Sequence, residues 1–151
     1  MKKLIFIFIF PIALYGQILT KKDIAPLLLT FSAGVFEGTA EALKFHYPAV
    51  DSKLSLNDNF WNPSISWRNK YKNNDPLQGN AFIGSTTFLV WTTDGYHLTR
   101  MMRNICIMTC ISIKIGERQR WYEYIFEAII AYISYQLGFT VSYDIIFNKS
   151  K

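Results

Sequence analysis

Cysteine and histidine are scarce in this 151-residue chain, with two of each. Neither is arranged for familiar chemistry. Cys106 and Cys110 lie one helical turn apart, with no further Cys or His beside them. That spacing is too sparse for a zinc site and gives only a strained disulfide if one forms. They read as small, buried, apolar residues, with a bridge as the alternative in an oxidising compartment. No Glu-x-x-His or His-x-x-x-His spacing occurs, nor a nucleophile elbow, nor a glycine-rich phosphate loop. The Asp and Asn residues do not form the ladder of a calcium loop. No internal repeat is present. The positive charge, +5 overall, is scattered at 21–22, 68–72, 100–103, 114–120 and 149–151. It lacks the dense basic stripe of a nucleic-acid binder, so no nucleic-acid partner is expected. The sequence names no cofactor and no metal.

What is present begins with the first residues. Lys2-Lys3, the apolar run 4–14 and Tyr15-Gly16-Gln17 have the order of an export signal, giving a signal peptide at 1–16 and one domain at 17–151. An uncleaved anchor is the alternative. The chain is 50% apolar and 17% aromatic, with a mean hydropathy of +0.11, much of it contributed by 1–16. These values predict a mainly α, exported and membrane-associated protein of the cell envelope, in the inner membrane or periplasm. They suggest three to four helices in a bundle with a sizeable polar section. Cations flanking apolar stretches suit membrane lipid as a partner.

Asp23 and Pro26 open a first helix, which Pro48 is expected to stop near Tyr47. Gly34-x-x-x-Gly38 makes a groove that admits another helix closely, and Glu41 extends that face by a turn. Residues 49–80 form a polar loop of about thirty residues, far beyond ordinary connections. Its aromatic content argues for packed structure of its own. Within it Trp61, Trp67, Arg68 and Tyr71 mix rings and cations, as at a headgroup interface or on a surface for a protein partner in the envelope.

The segment 84–102, GSTTFLVWTTDGYHLTRMM, carries Asp94 and His97 three residues apart. It reads as a helix with both on one face, and a strand entering an Asp94-Gly95 hairpin is the alternative. Apolar character resumes over 104–115, and 116–120 is a charged break. The last helix, 121–147, is long enough to span a bilayer with tilt. Glu127, Ala131, Ser134 and Gly138 share one of its faces.

Glu41, Asp94, His97 and Glu127 thus form a candidate buried polar cluster. It either steadies three helices, holds a metal, or serves as acid and base in a membrane-associated hydrolase. Cations at 100–120 favour a cytoplasmic position for that stretch, leaving 49–80 outside. A cleaved signal followed by a spanning first helix would place 49–80 inside instead.

The blocks SAGVFEGTAEALKFHY (32–47), FWNPSISWRNKY (60–71) and STTFLVWTTDGYHL (85–98) together resemble a family of small, exported, membrane-associated bacterial proteins of uncharacterised activity. The Asp94-x-x-His97 element is also faintly similar to the YfiM-type periplasmic lipoproteins. This chain lacks their lipobox cysteine. Neither resemblance implies an activity, and two readings follow. The first is a non-catalytic envelope component acting through 60–72, and the second an enzyme centred on Asp94 and His97.

Overall fold

The computed structural model describes residues 21–117 and 119–147; the expected signal at 1–16 lies outside them. The described chain is mainly helical, and none of it forms a strand. Three long α-helices make the body, and two single-turn helices lie between the first and second of them. The total of five exceeds the three to four expected, because the polar loop contributes helices of its own.

Helix α1, Lys21–Leu54, tolerates Pro26 near its start, where a missing N–H costs little. Pro48 does not stop it, contrary to expectation. The bend is taken up at His46, whose φ of −134° and ψ of 30° leave the helical region, and helix resumes to Leu54. A proline removes one hydrogen bond and crowds the preceding turn, so a kink suffices where packing continues on both sides.

The polar section is held by its own side chains. Helix α2, Asp58–Trp61, is capped by Asn57, and helix α3, Pro63–Ser66, by Asn62 with Pro63 at its first position. Short 3-10 turns follow at Lys72–Asn74, Pro76–Gln78 and Val90–Thr92. Tyr71 and Asn80 pair in one antiparallel bridge. The Asn69 amide donates to the carbonyls of Asn59 and Thr93, at 2.6 and 3.0 Å, tying the two ends of the section together. The Asn- and Asp-rich composition is thus spent on closing turns and caps. The packed loop inferred from its aromatics is present.

Helix α4, Gly95–Lys114, and helix α5, Trp121–Thr140, complete the body, with a π-helical extension at Val141–Ile146. Gly116, at φ 92°, makes the turn between them. Helix α5 runs parallel to α1 and α4 antiparallel to both. Along the α1–α5 line, Ser134 donates to the Leu27 carbonyl, Thr39 and Ser142 share a 2.8 Å hydrogen bond, and His46 meets the Tyr143 hydroxyl at 2.9 Å.

Glycine sets how closely α1 and α5 approach. A Cβ on Gly34 would lie 1.9 Å from the Tyr135 carbonyl oxygen, and one on Gly138 would lie 2.0 Å from that of Phe31. The expected small-residue groove is real, and its partner is the matching small face of α5. The main cluster of buried apolar residues is modest: Ala42, Leu43, Val50 and Phe147, with Tyr47, Leu56, Trp61 and Tyr143 packed around it. The outer faces stay apolar. Trp121–Ile146 is long and apolar enough to cross a membrane, and only 11% of its most apolar stretch is buried by the rest of the chain.

Candidate functional site

Asp94 is not in the middle of a helix; it caps one. Residues 84–94 run through turns and a 3-10 segment, and α4 begins at Gly95. The Asp94 backbone is extended (φ −158°, ψ 157°), and its carboxylate accepts from the His97 backbone N–H at 2.9 Å. That answers one of the unpaired N–H groups of the first turn and places a negative charge at the positive end of the helix dipole.

The same carboxylate holds the imidazole. His97 Nδ1 lies 2.9 and 2.7 Å from the two Asp94 oxygens, and the Thr93 hydroxyl, whose nearer acceptor is the Val90 carbonyl at 2.7 Å, lies 3.2 Å from Oδ2. Asp94 is 2% exposed, whereas the His97 side chain is 32% exposed. A carboxylate only accepts, so Nδ1 carries the proton toward Asp94, and the imidazole is the more exposed member of the pair. The expected Asp94–His97 adjacency is present, with a cap as its structural basis.

The floor of this corner is Gly95 beneath Trp61. A Cβ on Gly95 would come within 2.2 Å of the indole, so only glycine lets the ring close over the helix start. Trp61, expected on an interface, is mainly a packing residue that joins the polar section to α4 and to the core. Nearby, the Tyr47 hydroxyl donates to Asp58 at 2.5 Å. Burial, together with that carboxylate, pushes the Tyr47 phenol above its ordinary range.

The four-residue polar cluster does not assemble. Glu41 faces the next turns of α4, within electrostatic reach of Arg100. One turn back on α1, Glu37 pairs with Arg103 of α4. Glu127 is at the opposite end of the bundle. There the Lys114 ammonium bridges Asp23 at 2.8 Å, Glu117 at 3.0 Å and Glu127 at 3.0 Å. The Gln119 amide donates to Glu117 and Glu127. Lys114 follows Asp94 by twenty residues on one straight helix, roughly 30 Å away. The periodicity of α5 correctly turns Glu127 toward its neighbours but does not fix its height along α4. Beside this charged knot, Pro26, Leu27, Ile111, Ile130 and Ala131 help line a cavity of about 320 Å³. No group of three or more His, Cys, Asp or Glu among the described residues is arranged to hold a metal ion.

Trp67, Arg68 and Tyr71 do gather on one surface. The Trp67 and Tyr71 rings meet edge to face at 6.2 Å, the Arg68 guanidinium lies 5.3 Å from the Trp67 ring, and the Lys70 ammonium lies 5.5 Å from the Tyr71 ring. Sequence reading missed the exposed apolar side chains that accompany them. Leu77 is 94% exposed, Ile83 89% and Phe88 71%. Leu77 is a lone apolar residue in the polar loop and gives no periodic signal, and Ile83 and Phe88 lie in short apolar runs whose exposure only the turns of 81–89 decide. The hub role of Lys114 was also missed, since it depends on three elements meeting. No family model matches this chain, and comparison with characterised proteins and with solved structures yields no match.

Proposed function

We propose that this chain is a non-catalytic, membrane-associated component of the cell envelope, whose bundle is embedded through its outer faces and whose 60–72 section presents an interaction surface. The observation that carries the reading is the mismatch between apolarity and burial. Helix α5 is long and apolar enough to cross a membrane, yet little of its most apolar stretch is covered by the rest of the chain. The second half of α4 likewise exposes Ile105, Met108, Ile111 and Ile113. Patches of this extent on a soluble monomer would be a liability, whereas in lipid they face their natural solvent. Close packing through glycine, with side-chain hydroxyls bonded to neighbouring backbone, also suits helices that associate without a hydrophobic drive between them. The export signal at 1–16 and the family resemblance belong to this proposal.

The partly exposed imidazole of His97 beside the buried Asp94 favours a second reading, in which Asp94 and His97 act as acid and base in a membrane-associated hydrolase or metal-dependent enzyme. The first reading accounts for more, because capping and packing already employ Asp94 fully. Alkaline extraction and flotation of the full chain test it. The protein is expected to float with membranes after alkaline washing, and His97→Ala is expected to leave its localisation unchanged. Recovery in the soluble fraction would overturn the membrane reading. A turnover lost specifically in His97→Ala would favour the enzyme instead.

A further inference from the structure

We propose that the excursion at 65–88 lies on the anionic membrane leaflet at the C-terminal end of α5, with Leu77 and Ile83 entering the leaflet and Arg68, Lys70 and Lys72 meeting its headgroups. This rests on the membrane-associated reading and names the partner of its interaction surface.

Position comes first. The polar section is fastened to the C-terminal end of the candidate spanning segment. The Lys53 ammonium donates to the Ile146 carbonyl, and the Tyr143 hydroxyl meets His46. Trp61 and Leu56 pack on the core cluster that contains Phe147. A segment of 26 residues is about 39 Å long, enough to cross a hydrocarbon core of about 30 Å and enter the headgroup layer. Whatever is joined to its end therefore sits at headgroup level.

Rigidity comes next. Leu77 and Ile83 are not loose apolar residues free to fold away. The Lys72 N–H donates to the Gly79 carbonyl and the Ala81 N–H to that of Lys70, each at 3.0 Å. The Asp75 carboxylate accepts from the Leu77 N–H at 2.9 Å and the Gln78 amide at 3.0 Å. Ser85 closes the base by donating to the Lys70 carbonyl at 2.7 Å. A hydrogen-bonded frame thus holds two large aliphatic side chains almost fully outward.

Charge selects the occupant. Between 59 and 93 the charged residues are Arg68, Lys70, Lys72 and Asp75, three cations less one anion, a net +2. Asp75 is turned onto its own loop, so the face offered outward is cationic. Two of the cations lie over Trp67 and Tyr71 rings, the pairing of an amphipathic ring with a cation that suits the boundary between hydrocarbon and anionic headgroups.

The test uses the full chain reconstituted in vesicles of zwitterionic phospholipid, with or without roughly a third of anionic phospholipid. An environment-sensitive fluorophore is placed at Leu77→Cys or Ile83→Cys, with Cys106 and Cys110 replaced by Ala. In anionic vesicles the label should shift to the blue and be quenched by nitroxide-bearing acyl chains. Each cation at such a surface is worth roughly a fivefold change in partition, so Lys70→Gln with Lys72→Gln should lower the ratio of inserted to aqueous label by roughly 25-fold. A label open to aqueous iodide in both vesicle types overturns the proposal, as does equal quenching in both. Shielding that appears only after envelope proteins are added also overturns it, in favour of a protein partner. If the cysteine-free background does not fold, hydrogen exchange of the native chain at 76–84 decides: slower exchange in anionic than in zwitterionic nanodiscs supports the docking, and equal exchange refutes it. Chain that fails to remain with the vesicles after alkaline washing identifies failure of the underlying membrane reading.

Discussion

Replacing Gly138 with Ala tests the packing of the bundle at its tightest point. The added Cβ would sit 2.0 Å from the Phe31 carbonyl oxygen and 3.0 Å from the Val35 nitrogen. Ordinary carbon–oxygen contact is about 3.4 Å, so the two backbones must part by about 1.4 Å. Both obstructing groups are main chain, and neither can swing aside as a side chain would. A radial gap of even 0.5–1 Å forfeits about a quarter to half of each van der Waals well along the seam. Overpacking of this kind costs about 1–3 kcal/mol. The helix propensity of alanine returns up to about 1 kcal/mol. Because every obstructing atom is backbone, the cost lies at the upper end of that range, and the net expectation is a destabilisation of about 2 kcal/mol, read as a lower melting temperature in detergent. Leu137→Ala, at a neighbouring exposed position, should lie closer to wild type. A Gly138→Ala protein as stable as the native chain would show that α1 and α5 do not cross on glycine.

Asp94→Ala should cost about 1–3 kcal/mol, since it removes a helix cap and leaves the His97 Nδ1–H without its acceptor. His97→Ala should cost less, because the cap survives, and the double variant should fall short of the sum of the two; full additivity in thermal melts would refute the pairing. Lys114→Met should be destabilising through its three carboxylates, and additive with Asp94→Ala given their separation of roughly 30 Å. Strong coupling between these two would restore the single central cluster that the fold divides. The Leu77 backbone N–H and then the Gln78 amide hold Asp75 below the ordinary carboxylate range. Its contribution is therefore complete above the unfolded pKa of about 3.9 and is lost as pH falls through the lower folded value. An NMR titration of Asp75 at or above the ordinary value would contradict the turn geometry.

Much of this architecture was written in local signals. The reach of the last helix, the small-residue groove at Gly34 and Gly38, and the internal structure of the polar section follow from periodicity, residue size and aromatic content. Asp94 was harder to read, because an apolar run continues through it from both sides. The decisive sign was an acid immediately before the periodic stretch that starts at Gly95, the usual mark of a cap. Pro48 was misjudged because a proline sets a cost and not an outcome, and packing on both sides of His46 outweighs that cost. Glu127 faces inward as its spacing implies, but which residues it meets depends on the stagger of three helices, a property no single helix contains. Trp61 resembles an interface residue until the absent side chain of Gly95 gives it a seat.

The most direct test of the account places nitroxide labels at Ile129 and Leu137 on the outer surface of α5, with the full chain in lipid vesicles. Relaxation should be strong with lipid-soluble oxygen and weak with an aqueous nickel chelate at both positions. A surface that the nickel chelate reaches freely at both would mean that water, and not lipid, covers this helix.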